Sequence, residues 1–235
     1  LQLKQLFHTI VYDMAIPQLQ DQPDADGARE RLLEAAAGLF ALHGYERTTV
    51  RDIVRSAGTN LNAINYYFGG KRGLYRAVML REHARARSFT EGLPRAAAND
   101  PLDVRLESLV LRILTFFVSQ HSRLPRLVSL EVVNPSDALD EVSPSMNEAE
   151  SRELRDIVAD ALGPAAPVET MEECARSVYS QCAYFMFMGE SLHRAGSSVF
   201  SSAAAVRRLA SHITAFSLGG LRALSASLNT NGVVR

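Results

Sequence analysis

Two short apolar stripes of helical period, separated by one Ala-Gly pair, dominate the stretch TTVRDIVRSAGTNLNAINYYFGGKRGLY at residues 48–75. Val50, Ile53, Val54 and Ala57 make the first stripe, and Ile64 and Phe68 the second. Helices this short are marginal alone in water, so they must pack on something longer. Their ends are marked. Thr49 and Asp52 have capping-box spacing, Gly58 breaks the first helix, and Asn60 can cap the second. Helix, tight turn with Gly, helix is the spacing of a helix-turn-helix.

The flanking sequence supplies the partners. Ala28, Leu32, Leu33, Ala36, Leu39 and Phe40 recur at helical spacing until Gly44. From Lys71 a longer helix is expected to carry Leu74, Tyr75, Val78 and Met79 inward. That leaves Arg72, Arg76, Arg81, Arg85 and Arg87 for solvent or phosphate. Amphipathic runs follow at 102–121, 145–163, 168–196 and 203–228, punctuated by Pro125, Pro135, Pro144 and Pro164. Strand signals are sparse. The expected architecture is all-α, with a three-helix helix-turn-helix domain followed by a larger helical bundle. The expected boundaries are a flexible extension at 1–26, the first domain at 27–72, the bundle at 73–228 and a tail at 229–235. Met14 is a candidate start within the extension.

Charge is divided along the chain. Residues 28–87 hold eleven Lys and Arg against five Asp and Glu, and the remainder fourteen against twenty-one. A basic block joined to an acidic one suits a protein that approaches a polyanion, although a solvated helical face has the same composition. No apolar run is long enough to span a bilayer, and the N-terminus has no small-residue cleavage site. A cytoplasmic protein without membrane partners is expected. Cys174 and Cys182 lack the clustering of a zinc site and read as buried small hydrophobes. His8, His43, His83, His121, His193 and His212 are scattered, and no nucleophile elbow, P-loop, dinucleotide fingerprint or HExxH is present. Neither catalytic residues, a metal nor a cofactor is expected.

In a helix-turn-helix the second helix enters the major groove. With Ile64 and Phe68 inward, Leu61, Asn62, Asn65 and Tyr66 fall on a different face. Asparagine amides can pair with adenine edges, and a leucine can touch a thymine methyl. Thr48, Thr49, Tyr66, Tyr67 and Lys71 offer hydroxyl or ammonium donors for flanking phosphates. The same tyrosines also suit a plain helical core.

Residues 28–79 resemble the N-terminal domain of the TetR family of transcriptional regulators. Phe40, Gly44, Tyr45, Thr48, Thr49, Val50, Asp52, Ile53, Ala57, Gly58, Tyr66, Tyr67, Phe68, Lys71 and Leu74 stand in register with its pattern. The chain departs from that pattern at Thr59 and Asn60, where Val-Ser is common, at Asn65, where a groove-facing Tyr is common, and at Gly69. These differences bear on the operator sequence. The resemblance implies base contacts from Leu61, Asn62, Ala63, Asn65 and Tyr67, and phosphate contacts from Thr48, Thr49, Tyr66 and Lys71. It further implies a homodimer on palindromic double-stranded operator DNA, usually repressing, released when a small-molecule inducer enters the bundle. The segment SLEVVNPSDALDEV and the helices after it resemble the CecR-like subgroup.

For the inducer, apolar walls with a few polar groups are required. Phe116, Phe117, Leu130, Tyr179, Cys182, Phe185 and Met186 are candidate walls, together with Met188, and Arg112 and Glu131 are candidate anchors. Aromatics and methionines at helical spacing also serve as ordinary core. Gly219 and Gly220 lie inside a helical run, where they cost stability unless a partner backbone approaches. With Ile213, Phe216 and Leu224 they form the candidate dimer interface.

Overall fold

The computed structural model describes residues 25–117, 123–137 and 148–232. The extension with Met14 and His8, the end of the expected run at 118–121, Pro144, the start at 145–147 and the last three residues of the tail lie outside the described residues. Within them the chain forms α1 (Ala25–Arg47), α2 (Val50–Ala57), α3 (Leu61–Phe68), α4 (Lys71–Ser88) and α5 (Leu102–Phe117). There follow α6 (Leu124–Val133), α7 (Glu148–Leu162), α8 (Val168–Arg194) and α9 (Ala203–Gly232). No strand occurs among the described residues.

Local chemistry sets the early boundaries. Gly44, at φ 79° and ψ 172°, breaks the helical geometry inside α1 and sends Tyr45 back towards the core. The Thr49 hydroxyl accepts from the Asp52 N–H and so caps α2. At its other end Gly58 is left-handed, and the Thr59 N–H reaches the Val54 carbonyl at 3.0 Å while the Gly58 N–H reaches that of Arg55 at 3.4 Å. That double bond is a Schellman closure. Asn60 then accepts from the Ala63 N–H at 3.0 Å and starts α3.

Two cores result. The first takes Leu32 and Phe40 from α1, Ile53 from α2, Ile64 from α3, and Leu74, Tyr75, Val78 and Met79 from α4. Each large apolar side chain buried there contributes roughly 1.5 to 3 kcal/mol, which lets two eight-residue helices hold. The core does not end at residue 72, because α4 supplies it as far as Ala86 and α6 adds Leu124 and Leu127. The second core joins α5, α7, α8 and α9 around Leu106, Leu114, Ile157, Cys182, Ile213 and Leu218. Both cysteines are free and buried in it, and burial pushes the Cys182 thiol up to about 12.

The first core is braced by an ionic knot on α4. Glu82 is fully buried, accepts from the Arg123 N–H at 2.7 Å at the start of α6, and lies 3.0 Å from Arg85 and 3.5 Å from Arg81. Arg81 also pairs with Glu30 at 2.6 Å and Glu34 at 3.1 Å on α1, and Arg123 pairs with Glu34 at 2.7 Å. Hydrogen bonding from Arg123 holds the Glu34 carboxyl below the ordinary glutamate range. Arg81 and Arg85, expected to face solvent or phosphate, are spent on this network instead. Because removing one partner strands buried charge, Glu82→Ala should lower the unfolding free energy by about 3 kcal/mol. Substitution of exposed Leu80 by Ala should change it by less than about 0.5 kcal/mol in the same urea titration.

Candidate nucleic-acid interface and ligand cleft

The reading face of α3 is laid bare by the burial of Ile64 beneath it. Leu61 is 49% exposed and Tyr66 56%, with Asn62 and Asn65 exposed between them. Ala63 and Tyr67, given base contacts by the resemblance, are half-buried against the first core. The Tyr67 ring stacks edge-on to Tyr66 at 4.9 Å and to Phe68 at 6.2 Å. The exposed four make a strip of apolar contact and amide hydrogen bonding with the dimensions of one short helix.

The four expected phosphate contacts divide. Tyr66 is exposed. Thr49 is exposed too, but its hydroxyl already accepts from the Asp52 N–H and donates to the Asp52 carboxylate. That bond, more than nearby Arg55, holds the Asp52 carboxyl below its ordinary range. Lys71 sits over the Tyr45 ring at 4.3 Å and donates to the Glu46 carbonyl at 3.4 Å. Partial burial of the ammonium lowers its pKa, with Glu46 acting in the opposite sense. Thr48 differs from the expectation. It is 1% exposed, with its hydroxyl 2.8 Å from the Gly44 carbonyl and 3.2 Å from that of Leu39. Its one proton tethers the broken end of α1, and no hydroxyl is left for a phosphate. Arg47 and Arg51, exposed beside the start of α2, carry the cationic charge there.

A narrow cleft opens between α4, α5, α7 and α8. Arg112, Phe116, Phe117 and Tyr179 of the expected ligand residues line it, joined by His83, Arg87, Thr90, Ile113 and Glu150. His83, Arg87 and Thr90 were missed although they recur at i, i+4 and i+7, the spacing of one helical face. The remaining candidates lie elsewhere. Cys182 is fully buried in the second core, where Phe185 and Met186 also pack. Leu130 and Glu131 are not in the cleft. They stand on α6 beside residues 43–47, where buried Glu131 accepts from the Tyr75 hydroxyl at 2.6 Å and from the Ser136 N–H at 2.8 Å. A carboxylate so engaged ties α4 to α6.

On α9, Phe216 is 69% exposed and Leu224 43%, and both Gly219 and Gly220 are exposed. A Cβ added at either glycine meets nothing within 4 Å. Ile213 is the exception, being 2% exposed within the second core of its own chain.

A capped pair of short helices with one bare polar face, mounted on a helix that also lines a cleft, defines a helix-turn-helix DNA-binding regulator with a helical C-terminal domain. Comparison with known proteins narrows the class. Residues 32–78 match the profile of the bacterial regulatory proteins of the tetR family, and residues 102–221 match the C-terminal domain of the HTH-type transcriptional dual regulator CecR. The chain belongs to the TetR family and carries a C-terminal domain of the CecR type. It is 30% identical over 116 residues to the probable HTH-type transcriptional regulator YttP of Bacillus subtilis, covering 48% of this chain and 55% of that one. It is 32% identical over 123 residues to the dual regulator CecR of Shigella flexneri, covering 47% and 54%. The chain thus spans about half the length of these curated relatives. A TetR-like transcriptional regulator from Rhodococcus sp. RHA1 superposes with a TM-score of 0.57 at 17% identity, over 86% of this chain and 100% of that one, a likeness of fold. No helix among the described residues is long and apolar enough to cross a membrane.

The Thr59 hydroxyl is buried with no hydrogen-bond partner among the described residues. An orphaned polar group of this kind costs about 1 to 3 kcal/mol. Thr59→Val keeps the shape and removes the hydroxyl, so it should raise the unfolding free energy by about 1 kcal/mol in chemical denaturation and leave duplex affinity unchanged.

Proposed function

We propose that the protein is a ligand-responsive repressor that binds a palindromic operator as a homodimer and is released by a small-molecule inducer held in the cleft. The observation that carries this reading is the position of α4. Its first turn follows α3 across only Gly69 and Gly70, its last turns supply His83 and Arg87 to the cleft, and the turn just after it supplies Thr90. A ligand favouring one placement of those three side chains biases the helix on which the reading face is mounted.

Each α3 reads few base pairs, so two half-sites about one turn apart supply the affinity and choice that one lacks. The exposed Phe216, Gly219, Gly220 and Leu224 strip is the proposed dimer contact, where a partner backbone can approach the two glycines closely. A shift of half-site spacing in the dimer loses contacts on both sides together. Coupling of about 1 to 3 kcal/mol gives a loss of operator affinity of roughly five- to 150-fold. Repression follows when the dimer covers a promoter.

Fluorescence anisotropy on duplexes selected from a random library tests the assignment. Asn62→Ala and Asn65→Ala should each lose about 1 to 3 kcal/mol of preference at particular bases. Lys71→Ala should weaken all duplexes alike and reduce the salt slope by about 1. Equal losses on every sequence for all three variants would contradict the roles. Phe216→Glu, altering a side chain that is 69% exposed in the single chain, should leave the fold intact and yield a monomer by light scattering.

A further inference from the structure

The polar groups of the cleft are unevenly satisfied. Arg112 is 2% exposed, donates to Ser108 at 2.9 Å and pairs with Glu153, yet its buried Nε–H has no acceptor among the described residues. Arg87 lines the same cleft, half-buried and with no ion pair among the described residues. Tyr179 lines the cleft too, and burial pushes its hydroxyl up to about 12, so it stays a donor. One orphaned buried donor, with two further donors lining the same cleft, calls for an acceptor.

The walls specify what carries that acceptor. His83 meets Phe116 at 5.4 Å, Phe116 meets Phe117 at 5.9 Å and Phe117 meets Tyr179 at 5.8 Å, with interplanar angles of 67°, 60° and 82°. A run of edge-to-face rings presents both faces and edges to a planar guest. Charge limits the guest further. Glu150 lines the cleft and Glu153 already neutralises one side of Arg112, so a second negative charge on the ligand would meet two carboxylates.

We infer that the cleft takes a single-ring aromatic monocarboxylate, its carboxylate received by the Arg112 Nε and the Arg87 guanidinium and its ring set among Phe116, Phe117 and Tyr179. Charge-assisted hydrogen bonds from two guanidinium groups favour an ionised acceptor over a neutral amide. The inference rests on the reading of this cleft as the effector site.

Titration calorimetry of the full chain with benzoate, salicylate, benzamide and phenyl phosphate tests it, with duplex binding of the unliganded protein measured alongside. At least one of the two carboxylates should bind with Kd below about 1 mM. Benzamide and phenyl phosphate should bind at least about tenfold more weakly, a difference of about 1.4 kcal/mol. Arg87→Ala, at a half-exposed position, should weaken the carboxylate by the same factor with an unchanged melting curve. Arg112→Lys, which keeps the charge and loses the Nε donor, should also weaken the carboxylate. Equal binding of benzamide or phenyl phosphate, silence from both carboxylates, or full binding by both variants would overturn the inference. If the protein binds a selected duplex but neither acid, only the ligand class falls. If it binds the acids but no duplex, the regulator reading falls instead.

Discussion

The carboxylate of Glu82 has no contact with water, and it survives there only because cations and a helix terminus surround it. Arg81 and Arg85 supply charge from its own helix, and the Arg123 N–H at the start of α6 supplies a donor where the helix dipole also favours an anion. Glu30 and Glu34 on α1 share the same guanidinium groups. Three helices therefore meet at one charge. The first core rests on this arrangement, since Leu124 and Leu127 reach it only when α6 is seated against α4 and α1. A second tie fixes the other end of α6, where Glu131 receives the Tyr75 hydroxyl, and Arg126 donates to the Ala41 carbonyl at 2.6 Å along its length.

This arrangement makes α4 a shared member of two units. Its early residues are core for the helix-turn-helix, and its late ones face a cleft in the bundle. On the proposed function, a rigid helix with one end in each place would transmit a tilt without any further device. α6, clasped to α1 and α4, moves with the reading unit while its other side borders α8. The acidic C-terminal part and the basic block at residues 28–87 are linked through α6, by the Arg123–Glu34 pair and by the bonds from Arg123 N–H to Glu82 and from Tyr75 to Glu131. Their division along the sequence is not a division in space.

The helix-turn-helix was legible because every signal there is local. Caps at Thr49 and Asn60, the break at Gly58 and the stripes around Ile53 and Ile64 are short-range chemistry, and they act where the sequence puts them. Four of the nine cleft residues were legible as aromatic and basic positions on long helices. α6 was not. Its buried positions are Leu124, Leu127 and Glu131, so the third member of the stripe is a charge, and Pro125 reads as a break although it sits in the first turn of the helix. Arg81 and Arg85 misread for a related reason. An arginine on a helix looks like a solvent or phosphate group until the chain folds glutamates from α1 onto it. The Thr48 hydroxyl was lost to the turn that Gly44 makes, a contact four residues back that residue spacing does not disclose.

The account stands on one coupling, that the cleft and the reading helix are moved by the same α4. Pulsed electron resonance distances between spin labels attached at Ser56→Cys on α2, an exposed position, measure it directly in the dimer. Buried Cys174 and Cys182 leave the label to the introduced thiol. The distance distribution should be narrow on operator DNA and should move to a different mean when a ligand that releases the DNA is bound. An unchanged distribution in a ligand-bound, DNA-released dimer would contradict the account.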